Sequence, residues 1–317
     1  MAKAVTYTPP TPHSITEILE IKKSQKDPIW GPITRKSITL LYGSTGVGKS
    51  LFTLGLAFAI AAKEKFCGYL PAMADFRIVA LDGEMDLEDW AHRARMLCNE
   101  MDMNIPCDSI NVFTREDFGT GLVPNISLPE SQNMYSKLFE PFDIVIIDNL
   151  NTTSYPRKDN DGEISQFLRV LPWLLKMRDA GKAVVLIHHT NKAGQQMGSI
   201  LKEQIATNVI ELEKVQSQSD NLRFKILFHK HRHVSRAEAK PLMVEAVPSP
   251  SGMSWLTEDP SVSTESRIIE MSKDGIKQRE IAEQMGLDLY EVSQILKKSK
   301  SAFSSSPFDG GKSYDQF

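Results

Sequence analysis

The sequence predicts an α/β protein with a mainly parallel central sheet, followed by a small all-α unit. Three observations carry that expectation. Short apolar runs at 37–42, 76–81, 142–150 and 183–187 alternate with stretches of helical periodicity, the pattern of strands joined by crossover helices. The run FDIVIIDNL at 142–150 is apolar on both faces, so its strand belongs in a sheet covered on both sides. The stretch Gly43, Ser44, Thr45, Gly46, Val47, Gly48, Lys49, Ser50 fits G-x-x-x-x-G-K-[ST] at every fixed position, between a strand-like and a helix-like segment.

The bulk numbers set the frame. The 317 residues suffice for one large domain plus a small one, and a net charge of −3 gives no whole-protein argument for a nucleic-acid partner. The three cysteines, Cys67, Cys98 and Cys107, have no C-x-x-C spacing, which fits a reducing cytoplasm and argues against a disulfide framework or a zinc site. The first residues lack a signal-peptide core. The longest apolar run, 51–62, is shorter than the about 20 residues a bilayer span needs, so no membrane partner is expected.

In chain order, 1–13 is read as a flexible tail, with Pro9, Pro10 and Pro12 blocking regular structure. Ser14 and Glu17 have capping-box spacing for a short helix over 14–21. Residues 27–35 hold Pro28, Gly31 and Pro32 and read as a loop; Trp30 in it suits packing on an adenine or covering an edge of the domain. After the glycine-rich turn and its helix, a strand at 76–81 runs into Asp82-Gly83-Glu84-Met85. A helix over 86–100, a strand at 110–113 and a helix over 130–139 follow. The strand at 142–150 ends in Asp148. A helix over 162–179 contains Pro172, which is expected to kink it, and the strand at 183–187 ends in His188-His189. Strands at 205–212 and 223–229 read as a hairpin-like addition, with 243–247 extending it. The main domain is placed at 14–250, a linker at 251–262, a helical domain at 263–300 and a disordered tail at 301–317.

The chemistry follows from these placements. Glycines at 43, 46 and 48 let several backbone N–H groups point at one phosphate, where the helix dipole adds partial positive charge. Lys49 reaches the β- and γ-phosphates of ATP and the Ser50 hydroxyl holds Mg²⁺. Asp148, at the strand end where open sheets place ligands, either holds that Mg²⁺ from the far side or caps the next turn. Glu84 is placed to orient and deprotonate the attacking water, with Asp82 as the competing carboxylate. His189, on the same edge, senses the γ-phosphate or is an ordinary satisfied histidine. His229, His231 and His233 share a strand face opposite Lys230 and Arg232, but no carboxylate or cysteine joins them in sequence as a zinc site would require.

The order of GSTGVGKS, LDGEM, FDIVIID and LIHHTNK resembles the RecA-type P-loop ATPase core, particularly the RepA-like and DnaB-like hexameric replicative helicases. The resemblance continues through GSILKEQIATNVIELEK and FHKHRHV and covers roughly residues 30 to 245. It implies that Glu84 is the catalytic glutamate and His189 the link between γ-phosphate and a DNA loop. It further implies that Lys230 and Arg232 are finger residues reaching the ATP of a neighbouring subunit. Two loops, 151–161 with Arg157 and Lys158 and 192–199 with Lys192 and Ser199, then face single-stranded DNA in a ring channel.

In the terminal domain, Ala282, Gly286, Val292 and Ile295 stand at spacings that resemble a helix-turn-helix. Gln278, Arg279 and Lys298 are set for phosphates, and Ser293, Gln294 and Lys297 for bases. Seven basic and seven acidic residues between 264 and 300 leave a protein-docking bundle open as the alternative.

The resemblance implies a cytoplasmic, hexameric, ATP- and Mg²⁺-dependent DNA helicase or translocase replicating a plasmid, phage or mobile element. Primase or initiator proteins would be its further partners. The alternative is a non-translocating ATP-switched DNA-binding regulator or recombination accessory ATPase.

Overall fold

A computed structural model describes residues 12, 14–15, 27–97, 108–119, 121–156, 162–189, 203–215, 221–232, 235, 239–249, 252–259, 264–285 and 287–304. Most of 1–13, most of the 14–21 helix and residues 305–317 lie outside them, as do Arg157, Lys158, Lys192, Ser199, His233 and Gly286; residues 301–304, expected in the disordered tail, are instead helical.

Eleven strands are present among the described residues: β1 (Pro28–Trp30), β2 (Ile33–Thr34), β3 (Ser37–Gly43), β4 (Ile78–Asp82), β5 (Ile110–Phe113), β6 (Ile144–Asp148), β7 (Ala183–His189), β8 (Asn208–Lys214), β9 (Leu222–His231), β10 (Leu242–Ser249) and β11 (Gly252–Glu258). The helices are α1 (Lys49–Ala62), α2 (Leu87–Leu97), α3 (Pro129–Leu138), the single turn α4 (Leu150–Thr153), α5 (Glu163–Asp179), α6 (Thr264–Lys273), α7 (Gln278–Met285) and α8 (Leu289–Ser304). Nine strands form one sheet in the order β11-β10-β9-β8-β3-β7-β6-β4-β5. From β8 to β5 every neighbouring pair is parallel; β9, β10 and β11 extend the sheet antiparallel.

The central strands are buried throughout because helices cover both faces, as their uninterrupted apolar runs require. On one face Leu41, Ala80, Ile146 and Ile187 pack with Phe52, Leu56 and Ile60 of α1. On the other, Leu40, Leu81, Ile147 and Leu186 pack with Phe167, Val170 and Leu174 of α5 and Tyr135 of α3. Each fully buried Phe or Ile contributes about 1.5–3 kcal/mol, so the two layers fix the strand ends that carry the polar residues. Pro172 lies inside the unbroken span of α5.

Two expectations are corrected and the alternative at Trp30 is decided. The 27–35 stretch is a small antiparallel hairpin, β1 with β2, rather than a loop. Its Trp30 is core: the ring is 1% exposed, packs against Phe52, Phe66 and Tyr69, and donates from Nε1 to the Phe66 carbonyl at 2.9 Å. It is therefore committed to the domain and is not open to an adenine. The expected 251–262 linker contains β11, which pairs with β10 from Met243↔Glu258 to Ser249↔Gly252. Trp255 packs edge-on against Phe66 and the next strand position, Leu256, is exposed. That alternation is what makes a Pro/Ser/Gly-rich stretch a strand.

The C-terminal helices α6, α7 and α8 close a small core of their own from Ile268, Ile281, Ala282, Val292 and Leu296, with Ile295 partly buried against it. Asp288 opens α8 by accepting from the Glu291 N–H at 2.7 Å, while Glu291 accepts from the Asp288 N–H at 3.3 Å, a reciprocal cap.

Candidate active site

The parallel strands end at one edge, and register shows which residues meet there. Gly43 pairs with His189 and Asp82 with Asp148. The phosphate-loop glycine, two strand-end carboxylates and the histidine therefore stand at the carboxyl ends of four adjacent strands, where open α/β sheets bind ligands.

The turn from β3 into α1 needs its glycines. Gly48 is the N-cap of α1 with φ 93, a left-handed conformation that side chains other than glycine's seldom tolerate. A Cβ at Gly43 would run into the Leu212 carbonyl oxygen of β8. No side chain caps α1, and its first turn carries no acidic residue. The first N–H groups of a helix have no partner within it, so this end is chemically suited to a phosphate. Lys49 is buried, and its Nζ donates to the carbonyls of Gly43 at 2.8 Å and Ser44 at 3.0 Å. Burial lowers its pKa, against the pull of Asp148 and Glu84.

Two carboxylates, Asp148 and Glu84, face this lysine and a third, Asp82, lies beside Asp148; their surroundings divide the work. Asp82 is 1% exposed. It accepts from the N–H groups of Glu84 at 2.8 Å and Met85 at 2.9 Å, and from Trp90 Nε1 at 2.9 Å. Its oxygens are spent on holding the turn and α2. Glu84, by contrast, reaches out of that turn with a side chain 46% exposed. Its Oε1 accepts from the Asn149 amide and lies 3.6 Å from His189 Nε2. The histidine contact is the largest influence holding the Glu84 carboxyl below its usual range; burial opposes it, and Asn149 and Lys49 assist. Glu84 is thus kept ionised, as a base must be.

Asp148 receives a hydrogen bond from Ser50. Burial, then the neighbouring Asp82 and Glu84, push its pKa up to about 7. A desolvated carboxylate bonded to the phosphate-loop hydroxyl, with a second carboxylate nearby, is a donor set short of positive charge. That fits Mg²⁺, held by Ser50 and Asp148, with the uncapped α1 N-terminus and Lys49 fitting the phosphates of ATP.

Asn149 escaped the sequence reading. The signal available was its place directly after Asp148 at the same strand end. It is wholly buried, and its amide bridges Glu84 and His189, at 2.9 Å to His189 Nε2.

Lys230 and Arg232 are not part of this cluster. His231 pairs with Asn208, and Asn208 with Thr39. The basic pair is therefore near the opposite edge of the sheet, roughly 13 Å down the strands from Gly43 at ~3.3 Å per residue and two strands across. Lys230 Nζ donates to the carbonyls of Glu203 at 2.5 Å and Gln204 at 3.0 Å, and Arg232 reaches the latter at 3.5 Å. β9 carries an extra residue at His229, since Phe228 pairs with Ile210 and Lys230 with Val209. This breaks the simple alternation expected between His229 and His231, and His233 lies outside the described residues. The His229 ring instead meets Glu211 at 2.7 Å and stacks on Tyr42. Gln278, Arg279 and Lys297 are exposed on α7 and α8.

Among solved structures, the chain is similar to flagellar accessory protein FlaH from Methanocaldococcus jannaschii, with 12% identity, 71% of this chain and 91% of that chain covered, and a TM-score of 0.51. It is also similar to a KaiC-like protein from the hyperthermophilic archaeon Pyrococcus horikoshii OT3, with 16% identity, the same 71% and 91% coverage, and a TM-score of 0.48. No curated protein matches. No described helix is long and apolar enough to cross a membrane. Residues 10–195, more than half of the 317, match the AAA domain family, and with the phosphate loop on a large, mostly parallel sheet the chain belongs to that family as a RecA-like P-loop ATPase.

Proposed function

We propose that the protein is a ring-forming, DNA-stimulated ATPase that moves on single-stranded DNA as a helicase of a plasmid, phage or mobile element. The observation that carries this reading is the separation of Lys230 and Arg232 from the phosphate loop of their own chain. Two cations in the sequence positions of finger residues, beyond the span of an arginine side chain from their own site, suit the site of a neighbouring copy. An arginine supplied in this way is worth about 10³–10⁵ in rate.

In this reading the backbone of Gly43–Ser50 and Lys49 bind the triphosphate of ATP. Ser50 and Asp148 hold Mg²⁺, which when bound neutralises charge on the phosphate oxygens. Glu84 accepts the proton of the attacking water, and His189 reads the γ-phosphate. The loops at 151–161 and 192–199 carry the DNA contacts, through Arg157, Lys158, Lys192 and Ser199. The α7–α8 pair acts as a helix-turn-helix, with Gln278, Arg279 and Lys297 on DNA. Assembly is hexameric, and a primase or initiator comes from elsewhere.

A second reading, an ATP-switched regulator or recombination accessory factor that does not translocate, draws on the C-terminal three-helix unit. The charges there balance, with seven of each sign between 264 and 300, which suits docking as well as DNA. A forked-duplex assay separates the two. Strand separation that requires ATP and a single-stranded tail is the expected result. ATP turnover without separation on either tail polarity overturns the helicase and leaves the switch.

A further inference from the structure

We infer that Asn149 is a positioning residue for hydrolysis, one amide that fixes the Glu84 carboxylate and the His189 ring relative to each other. The inference rests on the reading of Glu84 as the base. Asn149 is 0% exposed and stands at the end of β6. Its Oδ1 accepts from the N–H groups of Asn151 at 2.9 Å and Thr152 at 3.2 Å, capping α4. Those two bonds settle which way the amide faces: oxygen to the helix turn, nitrogen to the site. Nδ2 has two hydrogens, and both are used, one on Glu84 Oε1 and one on His189 Nε2. The His189 Nε2 that meets Asn149 also lies 3.6 Å from Glu84 Oε1, so amide, carboxylate and ring meet at one point.

The topology gives this bridge its purpose. Glu84 follows β4 and His189 ends β7, strands that the sheet order keeps apart by β6. Their carboxylate and ring could each turn independently. Asn149, at the end of the strand between them, ties both to one buried group whose own orientation the backbone fixes. If His189 moves, either Glu84 follows or a buried N–H loses its partner. His189 is also the last described residue before the 190–202 segment that holds Lys192 and Ser199.

Asn149→Asp tests this, because aspartate caps a helix as well as asparagine but has no N–H to give. Asn149→Ser is the uncharged companion: it also caps, and its short hydroxyl cannot span two acceptors. Both variants should lower kcat for ATP by about 10- to 100-fold, the usual effect of losing a partner that orients a reacting group. For Asn149→Ser the affinity for a non-hydrolysable ATP analogue and the melting temperature of the free protein should stay near wild type, whereas the added buried charge of Asn149→Asp should lower its melting temperature. Adding Asn149→Ser to Glu84→Gln should cost nothing further. Wild-type kcat in either folded variant, or a loss of analogue affinity matching the loss of kcat, overturns the inference. If Glu84→Gln alone keeps wild-type turnover, the base assignment itself has failed, an outcome distinct from failure of the bridge.

Discussion

The two edges of one sheet are built on opposite electrostatic plans. At the edge where the parallel strands begin, charges are matched. Arg35 meets Asp143 at 2.8 Å, the other Asp143 oxygen takes the Arg77 N–H at 2.9 Å, and Lys182 donates to the carbonyls of Glu140 and Phe142. At the edge where they end, Glu84 and Asp148 face Lys49, Asp82 lies beside Asp148, and Asp148 is pushed up to about 7. A fold seeking only stability would not bury two carboxylates together and set a third beside them. The deficit of positive charge marks the edge that takes a metal–nucleotide complex. The surplus cations, Lys230 and Arg232, lie toward the other edge.

If that division reflects a site completed between copies, the largest effect comes from the far edge. Arg232→Ala should lower DNA-stimulated ATP turnover by about 10³-fold or more while leaving nucleotide affinity in place. Mixing Arg232→Ala with Lys49→Ala protomers should restore part of the activity, because intact loops then meet intact fingers. Mixed samples no more active than the parents would place Arg232 outside the reaction. Next in size is the near edge. Glu84→Gln should cost about 10²- to 10⁴-fold in kcat, the range for a lost general base, with ATP still bound. Asp82→Asn should instead act on stability, since Asp82 is occupied by Glu84, Met85 and Trp90.

How much of this was legible in the sequence depends on how local each feature is. The phosphate loop was, because its chemistry is a fixed spacing of glycines, lysine and serine within eight residues. The central strands were, because burial on both faces leaves uninterrupted apolar runs. The choice between Asp82 and Glu84 was not decidable from spacing: both follow the same strand, and what separates them is Trp90, a turn of helix away. Asn149 was missed because its role depends on three strands arriving side by side. β11 was hidden by its flanking prolines and serines, although Trp255 and Leu256 alternate as a half-buried strand requires. Trp30 stayed open between an adenine and an edge of the domain because a lone aromatic in a Pro/Gly stretch does not reveal the Phe52, Phe66 and Tyr69 that enclose it.

The smallest effect gives the sharpest test of the comparison, because it has opposite signs at the two edges. Asp143 is a paired carboxylate, and Asp143→Asn should destabilise the free protein by about 1 kcal/mol or less, the worth of an exposed ion pair. Asp148 is desolvated among like charges, so Asp148→Asn should stabilise the free protein while ending Mg²⁺-dependent turnover. The pH dependence follows from linkage. An aspartate has an ordinary value of 3.8, and here the folded protein holds its proton up to about 7. Between those values the folded state binds more protons than the unfolded state, so this group lowers stability progressively as pH rises, and fully above pH 7. The gain from Asp148→Asn should therefore be small at pH 5 and largest at pH 8, reaching several degrees in Tm, since each kcal/mol moves a domain of this size by about 2–4 °C. Thermal melts of both variants at the two pH values decide it. A loss of stability in Asp148→Asn at pH 8, or an equal gain at both, would mean that this carboxylate is compensated in the free protein and that the two edges do not differ as described.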